Sequence, residues 1–172
     1  MRYLKTFLLI IGLYSYCNSQ NIGYFNYGQT GKASWSNHLV INSAGELVMA
    51  GYLDSKPCLV IADVTGAYIT NRVVASSGEL FTAAIDASDN IYGGGYYGSI
   101  GAENKYIVKY SPAMAQLYTK NYGAGNIRYI IMDGTDVVAA GFNSKPCILK
   151  TDANGNLIWY KEFTIADRKS VV

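Results

Sequence analysis

Few residues in this chain could do chemistry, and they are poorly grouped. His38 is the only histidine, and no Ser/Asp arrangement is implied around it, so neither a nucleophile relay nor a zinc site is expected. Asp86, Asp89, Asp133 and Asp136 gather at two short polar segments. Paired carboxylates can carry out acid/base work, yet Asp and Asn also recur at turns because their side chains bond the backbone two residues on, and the turn role is the expectation. Asp152-Ala153-Asn154-Gly155-Asn156 starts like a calcium loop but lacks the later glutamate and has its glycine too early. Gly93-Gly94-Gly95 has neither the spacing nor the following helix of a phosphate loop, and reads as a strand meeting close backbone or a ring axis. No catalytic, metal-binding or cofactor-binding residue is therefore assigned, and no cofactor is expected.

One segment has recognition chemistry. The stretch Tyr96-Tyr97-Gly98-Ser99-Ile100-Gly101-Ala102-Glu103-Asn104 is a long connection rich in Tyr, Gly and Ser, and loops on rigid scaffolds commonly carry function. Tyr96, Tyr97, Ser99, Glu103 and Asn104 are its candidate contact residues.

The elements that must position these residues come from a repeat. Ser55-Lys56-Pro57-Cys58 recurs unchanged as Ser144-Lys145-Pro146-Cys147, and the likeness extends on both sides. Leu47-Val48-Met49-Ala50-Gly51-Tyr52 matches Val137-Val138-Ala139-Ala140-Gly141-Phe142, and Asp63-Val64-Thr65-Gly66 matches Asp152-Ala153-Asn154-Gly155. A divergent middle copy contains Asp89-Asn90-Ile91-Tyr92-Gly93-Gly94-Gly95-Tyr96 and Lys105-Tyr106-Ile107-Val108-Lys109-Tyr110-Ser111. Gly51, Gly95 and Gly141 are 44 and 46 positions apart, a period that belongs to four-strand units. Each copy reads as short strands a to d separated by polar or Gly-containing turns. Strand a covers 39–41, 82–85 and 129–132; strand c covers 59–62, 106–110 and 148–151. Strand d covers 68–74, 117–122 and 157–163. Sixteen Tyr and 18 Gly against 3 Pro in 172 residues agree with an all-β chain.

The repetition also bears on individual side chains. Cys58 and Cys147 hold the same position in units that are not neighbours, which places them beyond the roughly 7 Å between Cα atoms that a disulfide tolerates. Two separate thiols packed as small hydrophobes are expected. Lys109 matches Lys150, and Arg72, Lys120 and Lys161 match one another, which reads as solvated strand faces.

Taken together, the Gly-Asn-Ile-Tyr-like strand b, the Gly-aromatic pair, the Ile-Val-Lys strand c, the Asp-x-Asn-Gly turn and Leu157-Ile158-Trp159-Tyr160-Lys161 resemble a bacterial β-propeller repeat of the SBBP type. The resemblance covers about residues 35–163 and is strongest in the third copy. The first copy departs in having Thr70 where the third has Trp159, and the second has Ser111-Pro112-Ala113-Met114 in place of the Asp-Gly turn. The fold it implies is all-β: antiparallel four-stranded blades of a β-propeller, three blades present, forming an incomplete ring. Blade 1 is expected over 35–78, blade 2 over 79–125 and blade 3 over 126–166.

The flanks are read separately. Arg2 and Lys5 ahead of the apolar run Phe7 to Leu13, with small residues Cys17 and Ser19 before Gln20, read as a signal peptide over 1–19. Tyr16 argues against lipid attachment at Cys17, because such sites carry a small residue there. Residues 20–34 are expected to hold a lone ring-closing strand, since Asn26-Tyr27-Gly28 repeats Asn121-Tyr122-Gly123. Asp167-Arg168-Lys169-Ser170-Val171-Val172 is the translation of GATCGGAAGAGCGTCGTG, part of a common short-read sequencing adapter, so 167–172 is expected to be an artefact of a truncated gene. No other apolar run approaches the roughly 20 residues of a membrane span. A net charge of +2 without a Lys/Arg cluster leaves no nucleic-acid footprint.

The function these observations imply is a secreted, periplasmic or cell-surface module. It acts as a non-enzymatic binding or structural surface toward an extracellular protein or glycan. The competing expectation is a larger propeller enzyme, a lyase or hydrolase, whose catalytic residues lie in further blades.

Overall fold

Alternating apolar residues punctuated by Asx and Gly turns produce twelve strands and no helix in the computed structural model, which describes residues 33–54 and 56–164. The segments expected to be a signal peptide (1–19), a lone strand near Ile22 to Tyr27 and an artefactual tail (167–172) lie outside those residues. The strands are β1 (Trp35–Ile41), β2 (Leu47–Leu53), β3 (Lys56–Ala62), β4 (Tyr68–Val73), β5 (Gly78–Ile85), β6 (Ile91–Tyr97), β7 (Asn104–Tyr110), β8 (Gln116–Ala124), β9 (Asn126–Asp133), β10 (Asp136–Asn143), β11 (Lys145–Thr151) and β12 (Leu157–Glu162). They form three separate four-stranded antiparallel meanders, β1–β4, β5–β8 and β9–β12. The first strands converge: β5 packs on β1, β2 and β3, and β9 packs on β5, β6 and β7. The last strands splay outward, giving an incomplete, propeller-like arc of three blades.

Two apolar layers hold the arc together. Between blades 1 and 2, Val48, Ala50, Leu59 and Ile61 meet Leu80, Ala83, Ile91, Tyr106 and Val108. Between blades 2 and 3, Ala84, Tyr92 and Ile107 meet Ile127, Ile130, Val137, Ala139 and Leu149. Blade 2 is thus covered on both faces. Its middle strand is buried from Ile91 through Gly95. Gly94 leaves room for the next blade: a Cβ there would stand 2.5 Å from Ile130 Cδ1 and 2.8 Å from Ile127 Cγ2.

The c-to-d turn is built the same way in all three blades. Asp63 N, Ser111 N and Asp152 N donate to the carbonyls of Ala67, Ala115 and Asn156 at 2.9, 2.8 and 2.9 Å. The fourth turn residue has positive φ, at Gly66, Met114 and Gly155. The Ser-Pro-Ala-Met substitution in blade 2 therefore keeps the turn, with Met114 taking the left-handed conformation that glycine holds elsewhere.

The inner strands run further than the sequence pattern indicates. Strand β1 begins at Trp35, β5 at Gly78 and β9 at Asn126, because each contains a β-bulge that breaks the alternation. Ser36 and His38 pair with Gly51 and Ala50, leaving Asn37 as the extra residue. In the same way Phe81 is extra between Leu80 and Thr82, and Arg128 between Ile127 and Tyr129.

Candidate functional site

The bulges explain the marker glycines and create a site. Bulging brings a carbonyl of the inner strand onto strand b, where a Cβ on Gly51, Gly95 or Gly141 would lie 2.1, 1.9 and 2.0 Å from the oxygens of Trp35, Glu79 and Asn126. Only glycine fits under that carbonyl. A bulge also re-aims the side chain it carries, so each blade offers one residue at the same level of the inner edge: Asn37, Phe81 and Arg128.

These three residues connect neighbouring blades. Asn37 Nδ2 donates to Glu79 Oε1 at 2.8 Å and to the Leu80 carbonyl at 2.7 Å. Trp35 Nε1 donates to the same Glu79 oxygen at 2.7 Å, while the Trp35 ring stacks on Tyr52 with centroids 4.4 Å apart. One position on, the Arg128 guanidinium lies 3.7 Å from the centre of the Phe81 ring, and Phe81 leans on Tyr96 at 5.7 Å. Arg128 is oriented by a 3.0 Å bond from its Nε to Asn126 Oδ1. Burial, followed by the nearby carboxylates of Glu79 and Glu103, raises the Tyr96 phenol above its ordinary pKa, with Arg128 opposing. Tyr96 is thus a neutral hydroxyl among two carboxylates and a guanidinium. The rim combines aromatic faces with fixed acceptors and donors.

The long connection of blade 2 divides between this rim and the fold. Tyr96 belongs to the rim, and Glu103 contributes its field to Tyr96 while its carbonyl accepts from Gly125 N at 2.9 Å. Tyr97 turns to the other face, packs edge-on against Tyr106 at 5.8 Å and accepts a 2.6 Å bond from Asn121. Ser99 closes the loop through its carbonyl, which accepts from Ala102 N at 2.9 Å, and Asn104 Nδ2 donates to the Ala102 carbonyl at 3.3 Å. Trp35, Asn37, Glu79, Phe81 and Arg128 were not singled out by the sequence. Their signal was the similar spacing to the marker glycine, 14 positions from Asn37 and Phe81 and 13 from Arg128, legible only once the bulge is seen.

The remaining candidates have structural roles. His38 Nδ1 accepts from Ala83 N at 3.2 Å, tying blade 1 to blade 2. Asp86 accepts from Ser88 N and Asn90 N, each at 2.9 Å, and Asp152 from Asn154 N and Asn156 N at 2.9 and 2.8 Å. Asp133 and Asp136 both pair with Lys150, at 2.8 and 3.0 Å. Among the described residues no group of three or more His, Cys, Asp or Glu is placed to hold a metal ion. Cys58 and Cys147 are buried, separate thiols, and burial pushes the Cys58 thiol up to about 12.

The solvated face expected for the matched lysines does not hold for Lys109. It is buried, 3.7 Å from Asp86, 4.8 Å from the centre of the Tyr92 ring, and donates to the Ala153 carbonyl of the next blade at 3.1 Å. The arriving blade removes from water a residue type that sequence reading places outside.

No protein-family model and no curated protein matches this chain. Among solved structures it is similar to a protein of unknown function from Bacteroides caccae, at 15% identity and a TM-score of 0.56, over 79% of this chain and 48% of that one. It is also similar to U3-55K, at 9% identity and a TM-score of 0.59, over 80% of this chain and 41% of that one. A eukaryotic initiation factor matches at 14% identity and a TM-score of 0.56, over 81% of this chain and 35% of that one. The chain therefore spans less than half the length of each. These likenesses define the class as an all-β fold of propeller-like blades and carry no function.

Proposed function

We propose that this chain is an exported, non-enzymatic recognition module built from SBBP-like blades, and that its inner rim binds glycan. The observation that carries this reading is the set of three bulges at one level, which direct chemically different side chains to one edge. Trp35 stacked on Tyr52 offers an aromatic face beside the Glu79 carboxylate and the Asn37 amide. A sugar ring needs that combination: apolar C–H surface against an aromatic plane, and hydroxyls against fixed polar groups. Export is supported by the charged and apolar pattern of the first residues, and the blade type by the repeat motifs.

The test follows Trp35 fluorescence in a Trp159→Phe background while cello-, xylo-, chito- and malto-oligosaccharides are added to millimolar concentration. Saturable quenching by one series is expected, with Glu79→Gln weakening it about 10-fold, as the loss of one charge-assisted contact predicts. If no series changes the emission, the glycan reading fails.

A further inference from the structure

The three bulge residues differ in what they have left to give. Asn37 spends its amide donors within the fold, on Glu79 Oε1 at 2.8 Å and on the Leu80 carbonyl at 2.7 Å. Phe81 carries the Arg128 guanidinium on its ring at 3.7 Å and leans on Tyr96 at 5.7 Å. Arg128 alone of the three keeps unused donors. Its Nε donates to Asn126 Oδ1 at 3.0 Å, but among the described residues no acceptor meets Nη1 or Nη2 and no carboxylate forms an ion pair with the group. Arg72, the other arginine among those residues, is consumed by the fold: its Nε donates to the Met114 carbonyl at 3.1 Å and its Nη1 to the Asn71 carbonyl at 2.8 Å.

The Arg128 guanidinium is also held. The Phe81 ring on one side and the Nε bond on its stem fix its plane, leaving the Nη edge free at an exposed position. A fork restrained in this way is preorganised for a planar, bidentate acceptor, and less rotamer freedom is lost when one binds. Two carboxylates, Glu79 and Glu103, are near enough to act on Tyr96, yet neither neutralises Arg128. Glu79 is committed elsewhere, because its Oε1 receives both Trp35 Nε1 and Asn37 Nδ2. Glu103 remains as a like charge that an incoming anion must face. The Tyr96 phenol, kept neutral chiefly by burial, adds a hydroxyl donor beside the ring that carries the guanidinium.

Building on the glycan reading of the rim, we propose that the sugar it takes is acidic: a uronic-acid residue whose carboxylate is held by Nη1 and Nη2 of Arg128 while a neighbouring ring seats on Trp35. The carboxylate is ionised at neutral pH, so the pairing needs no proton transfer. The saccharide then lies across the inner edge in one direction, with a neutral ring at the Trp35 end and the acid at the Arg128 end. A hydroxymethyl group in the same place cannot accept two parallel bonds from the fork. Arg128 is therefore the residue that sets specificity.

The test compares each neutral oligosaccharide with its uronate counterpart, by Trp35 fluorescence in the Trp159→Phe background at low salt. The pairs are cello-, chito- and malto-tetraose beside their C6-oxidised forms, and xylotetraose beside its glucuronate-substituted form. In the pair that binds, the acid is expected to be about 10-fold tighter than the neutral sugar. Arg128→Gln, with unchanged far-UV circular dichroism, should bring the two within about two-fold of each other. Glu103→Gln, which removes the opposing charge, should widen the preference for the acid about two-fold, and it keeps the proposal testable if Arg128→Gln fails to fold. Equal binding of acid and neutral forms, a preference that survives in folded Arg128→Gln, or a preference narrowed by Glu103→Gln overturns the proposal while leaving the glycan reading in place. Binding by neither form of any pair overturns both.

Discussion

At the scale of single residues, glycine governs the molecule at two neighbouring positions for different reasons. At Gly95 an added methyl would meet the backbone oxygen of Glu79 at 1.9 Å, whereas at Gly94 it would meet the tip of the Ile130 side chain at 2.5 Å. Backbone held by the ladder on both sides cannot retreat, while the Ile130 tip can rotate and Ile127, whose Cγ2 would stand 2.8 Å away, can shift with its strand. Gly95→Ala is therefore expected to cost about 3 kcal/mol and Gly94→Ala about 1 kcal/mol, read as shifts in the urea midpoint with an unchanged slope. Equal losses would show that the bulge is not what excludes the side chain. Sequence made the recurrence of Gly51, Gly95 and Gly141 plain. It could not supply the reason, because the carbonyl that forbids a Cβ belongs to a residue on another strand, 16 positions away for Gly51 and Gly95 and 15 for Gly141.

At the scale of elements, the turns are the most legible feature and the strand ends the least. Asp, Asn and Gly at fixed offsets identified the hairpins, and the c-to-d turn persists even where Met114 replaces glycine. The inner strands start earlier than the apolar pattern shows because a bulge puts it out of step for one position, and strand c starts earlier too, at Lys56, Asn104 and Lys145, on polar residues that pair with strand b without any bulge. The same turns give an acid dependence. Burial raises the Asp86 carboxyl, but hydrogen bonds from Asn90, Ser88 and Tyr92 outweigh it and hold the group below its ordinary pKa. Asp152 is likewise lowered, chiefly by Asn156. A depressed carboxyl stabilises the fold above the unfolded value and loses that contribution as pH falls through the folded one. The melting temperature should therefore hold through neutral pH and fall below about pH 4, less steeply in Asp86→Asn. A variant with the wild-type slope would remove Asp86 from the account.

At the scale of the whole molecule, stability is unequal by construction. Blade 2 has neighbours on both faces, and blades 1 and 3 each have one neighbour among the described residues. Amide exchange should be slowest in β6 and β7 and fastest in β4 and β12, since local opening follows the apolar contact that must be broken. Exchange followed by mass spectrometry, with β12 as protected as β6, would contradict this order. The number of blades and their order were visible in the repeat. The burial of Lys109 and the inner rim were not, because both are created by contact between copies and neither has a mark within one copy.

The bulges have a wider consequence. The strands that pack blade on blade are constrained to keep their apolar alternation, and the glycines beneath the bulges cannot change at all. Asn37, Phe81 and Arg128 stand outside both constraints: each is one surplus residue whose identity the ladder does not use. The three differ in every chemical respect, although their surroundings are copies of one another. Substitution there would rewrite what the inner edge presents, one residue per blade, at the cost only of the contacts those three side chains make to the neighbouring blade.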